Sequence, residues 1–135
     1  MKVVTYATHD FGTFQEIVNN EFGVPVKVLG WGTKWNGFMD KIKAVREYCE
    51  TLPDDELVIF VDGFDSRIMK PLDDLEKNFN EYNCQVLISR NPSLAGEYVN
   101  NKIFGTCKDD VTANSGLYMG RNSYLKAFLT SALEQ

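Results

Sequence analysis

The sequence is short of cysteine, of basic charge and of long hydrophobic runs, and each shortage argues against a class of protein. Its three cysteines, Cys49, Cys84 and Cys107, are odd in number and widely spaced, so they fit neither a disulfide framework nor a zinc or thioredoxin-type motif. Lys and Arg number 14 against 19 Asp and Glu, and the net charge of −5 has the wrong sign for holding a nucleic-acid backbone. No apolar run approaches the roughly 20 residues that a membrane span needs. We therefore expect neither a nucleic-acid partner nor a membrane partner.

Length and composition predict one globular domain. The 135 residues, 44% of them hydrophobic, are enough to build a single core, so residues 1–135 are interpreted as one domain. The chain passes from Met1 directly into a strand-like segment, which leaves no space for a signal peptide. Together with the unpaired cysteines, this start predicts a cytoplasmic protein with reduced thiols.

Strand-like and helix-like patterns alternate along the chain. Strands are predicted at residues 3–7, 26–29, 57–61, 85–89 and 117–119, with a tight turn at Gly120. The long segment 90–112 shows no clean period, and an ordered connection of that length is often functional. The alternation predicts an α/β fold, an open and mostly parallel sheet with helices on both faces.

The helices between these strands are predicted from capping and spacing. Thr13 and Glu16 have the spacing of a capping box before the first helix. The second helix is expected to bury Phe38 and to expose Lys41, and the third to begin at Pro71. The last helix is expected to bury a face that includes Phe128.

The most informative stretch is the apolar run at residues 57–61 followed by Asp62, Gly63, Phe64 and Asp65. Such a run predicts a strand buried on both faces, which places Asp62 and Asp65 at its carboxyl end, the edge where ligands bind in open α/β sheets. Two carboxylates three residues apart can converge on one divalent cation. Asp and Gly are also ordinary turn residues, and that interpretation remains open.

Other polar and aromatic residues follow the remaining strands at the same predicted edge: Thr8, His9, Trp35, Ser89 and Arg90. Trp35 is interpreted as a packing lid or, alternatively, as a stacking surface for a flat ligand. A receiver-type phospho-acceptor also ends its third strand with Asp, but the acidic residues and the Lys that it needs elsewhere are not matched. A haloacid-dehalogenase-like phosphatase needs Asp-x-Asp near the start of the chain. A nucleotide-sugar transferase of the GT-A kind fits best.

An ordered set of motifs carries a resemblance to a known family. The chain resembles the glycosyltransferase domain of procollagen lysyl hydroxylases in Ala7-Thr8, Val28-Leu29-Gly30 with Trp35, Phe60-Val61-Asp62-Gly63-Phe64-Asp65, and Asn114-Ser115-Gly116 followed by Gly120. The resemblance implies the nucleotide-binding half of a Rossmann-like GT-A fold. It implies that Asp62 and Asp65 bind Mn²⁺ or Mg²⁺ and that Phe64 stacks with Trp35 on the uracil of a UDP-sugar. Thr8 and Lys41 would lie near the nucleotide.

The sequence also departs from that family pattern. Leu117 replaces a glycine, the region of Arg90 lacks an acidic residue, and the family's third metal ligand, a histidine, lies beyond Gln135. The resemblance places the sugar or acceptor pocket at Arg90, Asn114, Ser115, Gly116 and Leu117. The donor is expected to be UDP-glucose, UDP-galactose or UDP-N-acetylglucosamine, and the acceptor hydroxylysine of a collagen-like protein. We expect residues 1–135 alone to bind UDP-sugar and at most to hydrolyse it slowly, and a non-catalytic UDP-sugar-binding or metal-binding module is the alternative.

Overall fold

A computed structural model describes residues 1–90 and 113–135, so Cys107 and the segment without a clean sequence period, apart from Arg90, lie outside these ranges. The strands are β1 Lys2–Tyr6, β2 Val26–Leu29, β3 Leu57–Asp62, β4 Val86–Arg90 and β5 Ala113–Arg121. The helices are α1 Phe14–Val18, α2 Met39–Cys49, α3 Leu75–Glu81 and α4 Asn122–Leu133. In these described ranges, no helix is long and apolar enough to cross a membrane.

The strands form one sheet in the order β2-β1-β3-β5-β4. Strand β1 pairs in parallel with β2 and β3, whereas β5 runs antiparallel to both β3 and β4. The carboxyl ends of β1 to β4 therefore meet the amino end of β5 at one edge of the sheet. The α/β prediction with a mostly parallel core is confirmed, and the antiparallel β5 makes the sheet mixed. This order also differs from the 2-1-3-4-5 order of receiver domains, which argues against that alternative.

Strand β3 lies in the middle of the sheet and is buried on both faces, as predicted. Its Val58 and Phe60 are fully buried in one cluster that includes Val45 of α2 and Leu125 of α4. Leu57 and Ile59 alternate to the opposite face and join Phe79 of α3 in a second cluster. Because successive side chains along a strand point to opposite faces, the one apolar run contributes to both clusters. Asp62 follows this run and therefore lies at the edge of the sheet.

Several helix predictions are wrong in detail. Phe38 precedes α2 and is 71% exposed, whereas Lys41 is buried and its ammonium group pairs with the partly buried carboxylate of Asp62. Helix α3 begins at Leu75 rather than at Pro71, and Phe128 in α4 remains partly exposed. Gly120 is a strand residue of β5 rather than a turn. A Cβ atom there would lie 2.8 Å from the Gln85 backbone oxygen, so the close approach of the neighbouring segment requires glycine.

The predicted capping box at Thr13 and Glu16 is also wrong. The Thr13 hydroxyl makes no cap to α1 and donates instead to the backbone oxygen of Ser66, at 2.7 Å. Glu16 pairs with Arg67, at 2.7 Å. Both side chains therefore connect α1 to the segment that follows β3.

Candidate functional site

The site is built around the acidic turn, residues 62–65, which leaves the central strand. Gly63 is buried where this turn passes β1, and a Cβ atom there would lie 2.6 Å from the Tyr6 backbone oxygen and 3.0 Å from Thr5 Oγ1. Only glycine allows so close a passage. Asp62 is the last residue of β3 and is partly buried, whereas Asp65, the last residue of the turn, is exposed.

The acidic turn is held from outside by Gly12 and Thr13. The Thr13 amide donates to the Phe64 backbone oxygen at 3.0 Å, and the Thr13 hydroxyl bonds to Ser66 one residue beyond the turn. Gly12 has a φ of +59°, and a Cβ atom at this position would lie only 2.0 Å from the same Phe64 oxygen. Sequence reasoning missed this support, because Thr13 matched a local capping pattern and its partners lie more than 50 residues away.

A polar cleft of about 370 Å³ opens on one side of the acidic turn. The chain elements that meet there are the start of α2, the acidic turn and the facing ends of β4 and β5. Its lining comprises Phe38, Lys41, Asp62, Asp65, Ser66, Ser89, Asn114, Ser115, Gly116 and Leu117. The predicted sugar or acceptor residues of β5 therefore lie in the same cleft as both carboxylates.

A bulge in β5 shapes the far wall of the polar cleft. Ile88 pairs with Tyr118, but the next residue, Ser89, pairs with Asn114, so residues 115–117 have no partner in β4. The Asn114 side-chain oxygen accepts the Gly116 amide at 2.7 Å and closes this bulge. A Cβ atom at Gly116 would lie 3.7 Å from the Asp62 Cβ, so β5 approaches the carboxylate closely. Bulges of this kind are common beside active sites because they redirect side chains.

An aromatic cleft of about 350 Å³ lies on the other side of the acidic turn. It is lined by Tyr6, Thr8, His9, Trp35, Phe38, Lys41, Asp62 and Phe64. The Trp35 ring is 5.8 Å from Tyr6, and the Phe64 ring is 5.5 Å from the His9 ring. Trp31, by contrast, is not among the lining residues and stacks on Phe14 at 5.1 Å. Of the two tryptophans, Trp35 is the one available to a ligand in this cleft.

The two clefts meet at Lys41, Asp62 and Phe38, which line both of them. Lys41 Nζ lies 3.0 Å from Asp62 Oδ2, and the amide of Phe64 donates to Asp62 Oδ1 at 3.2 Å. Phe38 covers the ammonium group, with its ring centre 5.3 Å from Nζ. The junction therefore combines a buried cation, a carboxylate and an exposed aromatic rim.

The donors around the acidic turn suit a hard divalent cation but do not enclose one. Asp62 and Asp65 offer carboxylate oxygens to the polar cleft, and Ser66, Ser89 and Asn114 place further oxygen-bearing side chains in its lining. Within residues 1–90 and 113–135, no three His, Cys, Asp or Glu side chains are grouped closely enough to form a metal site by themselves. A cation held here would take its remaining ligands from a bound anion or from water, as Mg²⁺ commonly does.

The structure brings most of the predicted site residues together. Thr8, Trp35, Lys41 and Phe64 line the aromatic cleft, and the predicted residues of β5 line the polar cleft. Asp62 lines both clefts, and Asp65 lines the polar cleft. Arg90 lines neither cleft and is exposed at the end of β4, where it pairs with Ala113. Sequence reasoning missed Phe38 as a cleft residue, because its spacing matched the apolar stripe of α2.

Together the sheet and its edge define a Rossmann-like α/β domain with a composite cleft at the carboxyl ends of its parallel strands. A comparison with protein-family models matches the PLOD GT domain over residues 1–135, and the chain belongs to this family of glycosyltransferase domains. A comparison with curated proteins finds no match.

Proposed function

We propose that the protein is a metal-dependent glycosyltransferase that uses a UDP-sugar donor. One observation carries this proposal: the acidic turn presents the Asp62 carboxylate where an aromatic cleft and a polar cleft meet, and the Asp65 carboxylate in the polar cleft. A nucleotide-sugar carries groups that match these parts of the site in the same order: a flat base, a diphosphate and a polar sugar. Family membership supports glycosyl transfer as the reaction.

The aromatic cleft suits the nucleotide base. Trp35 and Phe64 offer ring surfaces from two different chain segments, and an aromatic contact of this type contributes on the order of 1 kcal/mol. Thr8 adds a hydroxyl to the lining. A uracil held here would direct its diphosphate toward Lys41 at the junction of the two clefts.

The diphosphate needs positive charge in a net acidic chain. Lys41 supplies one ammonium group at the junction, and Asp62 and Asp65 would hold Mn²⁺ or Mg²⁺ beside it. A bound divalent cation neutralises the charge that develops on the leaving UDP. The chain's own contribution is to fix both carboxylates, through Gly12 and Thr13, at a constant place relative to the base.

The polar cleft would receive the sugar and the attacking hydroxyl. Ser115 and Asn114 supply polar groups there, whereas Leu117, 42% exposed, adds an apolar contact. We propose glucose, galactose or N-acetylglucosamine as the sugar and hydroxylysine of a collagen-like protein as the acceptor. Leu117 is the residue most suited to discriminate among these donors, because it adds volume where the family pattern has glycine.

UDP release from a panel of UDP-sugars, with and without a hydroxylysine-bearing peptide, tests this function. We expect release from one or more donors in Mn²⁺, none in EDTA, and a loss of roughly tenfold or more in Asp65→Asn. Asp73→Asn removes the same charge at an exposed position outside both clefts and should behave as wild type. Metal-independent release would contradict the proposal, and metal-dependent UDP binding without any release would favour the non-catalytic binding module.

A further inference from the structure

Lys41 is a buried cation whose position is explained by one anionic partner. It is among the few buried polar residues of the described chain, and its side chain is 10% exposed. Its ammonium group lies 3.0 Å from Asp62 Oδ2, and no other hydrogen-bonding partner occurs in residues 1–90 or 113–135. The rings of Phe38 and Phe60 lie 5.3 and 5.8 Å from Nζ. Aromatic faces attract a cation but do not replace the hydrogen bonds of water.

This arrangement makes the ammonium group a competitor for the Asp62 carboxylate. Oδ2 accepts from Lys41 and Oδ1 accepts from the Phe64 amide, so both oxygens already have a donor. A divalent cation that shares this carboxylate would stand a few ångströms from a fixed positive charge. Repulsion at such a distance is strong where the surroundings are partly apolar.

A diphosphate at the cleft junction would change the balance. Lys41 lines both the aromatic and the polar cleft, so its flexible stem allows the ammonium group to turn from Asp62 to a phosphate oxygen without leaving the junction. Asp62 would then be free to bind the divalent cation through Oδ2. The anion would also screen the remaining repulsion between the two cations.

We propose that Lys41 is a resident counter-ion of Asp62 that weakens divalent-cation binding until a nucleoside diphosphate is present. This inference rests on the proposed function, because it concerns the same cation and the same diphosphate. Its consequence is that the two ligands bind cooperatively, each tightening the other by the same factor, as linkage requires. Lys41 therefore acts as a positioning residue for the carboxylate in the free protein and as a phosphate ligand in the complex.

Manganese titrations followed by electron paramagnetic resonance test the inference without turnover. In the absence of nucleotide, Lys41→Met should bind Mn²⁺ roughly tenfold or more tightly than wild type, because the competing charge is gone. Lys43→Met removes the same charge from an exposed position on the same helix and is the matched control. Lys41→Arg retains the charge and should bind as weakly as wild type. Lys41→Gln replaces the Met variant if thermal unfolding shows that the latter is destabilised.

The same titrations with saturating UDP give the second readout. UDP should tighten Mn²⁺ binding strongly in wild type and in Lys43→Met, and by a much smaller factor in Lys41→Met. The inference is overturned if wild type binds Mn²⁺ in the presence of UDP but Lys41→Met binds it without UDP no more tightly than Lys43→Met. If wild type does not bind Mn²⁺ even with UDP, the proposed metal site itself is wrong, and the inference is wrong with it.

Discussion

Gly12 and Gly23 form a natural pair for testing whether the acidic turn must be held in place. Both have a left-handed backbone, with φ of +59° and +64°. A Cβ atom at Gly23 would meet nothing within 4 Å, whereas one at Gly12 would lie 2.0 Å from the Phe64 backbone oxygen. Alanine at either position therefore adds the same backbone strain, and only Gly12→Ala pushes against the turn.

The structure gives the expected magnitude of each substitution. Left-handed strain should cost each variant about 1–2 kcal/mol in the free energy of unfolding. Cβ contacts below 3.0 Å essentially do not occur, so Gly12→Ala must separate the two segments by at least 1 Å. That movement breaks the bond from the Thr13 amide to Phe64, worth roughly 0.5–1.5 kcal/mol, and displaces Phe64 and Asp65 together.

Calorimetry of UDP binding in Mn²⁺, together with thermal unfolding, distinguishes the two variants. Gly23→Ala should lower the melting temperature by roughly 4–8 °C and bind UDP with wild-type affinity. Gly12→Ala should be less stable and should bind UDP about tenfold more weakly, since the base contact and one carboxylate move. If Gly12→Ala binds UDP as tightly as Gly23→Ala, the position of the turn does not control binding and the account of its support is wrong.

Four further outcomes are expected. UDP should quench tryptophan fluorescence in wild type and in Trp31→Ala but not in Trp35→Ala, and the reverse pattern would mean that the base lies elsewhere. Thr13→Val should weaken UDP binding several-fold by calorimetry, because it removes the hydroxyl bond to the segment after the turn, and Thr13→Ser should restore it. Burial raises the pKa of the Cys49 thiol from 9.0 to about 11, so alkylation at neutral pH, followed by peptide mass mapping, should modify Cys84 and spare Cys49. The free energy of unfolding, from urea titrations, should fall as the pH rises from 9.0 to about 11, because only the folded state keeps this thiol protonated there.

The sequence predicted those parts of the fold that depend on local patterns. The apolar run before Asp62 predicted a central strand, and the alternation of strands and helices predicted the sheet edge where the site lies. The same patterns were misleading where a side chain has a distant partner. Thr13 matched a capping pattern but bonds to Ser66, and Lys41 matched the polar face of α2 but pairs with Asp62.

The candidate site was predictable as a set of residues but not as a geometry. Motif order placed Thr8, Trp35 and Phe64 at one edge, and all three line the aromatic cleft. Sequence could not show that β5 runs antiparallel or that its bulge brings Gly116 close to Asp62, because strand direction and register depend on pairing across the whole sheet. Family membership does not supply this information either, since it describes the reaction class and not the contacts.

Calorimetric titration of UDP into the protein, with Mn²⁺ and then with EDTA, tests the central claim most directly. The claim is that Asp62 and Asp65 hold a divalent cation that allows an acidic chain to bind a diphosphate. We expect clear binding in Mn²⁺, loss of binding in EDTA, and strong weakening in Asp62→Asn and Asp65→Asn without loss of the folded state. Equal UDP affinity with and without the metal, or wild-type affinity in either variant, would contradict the claim.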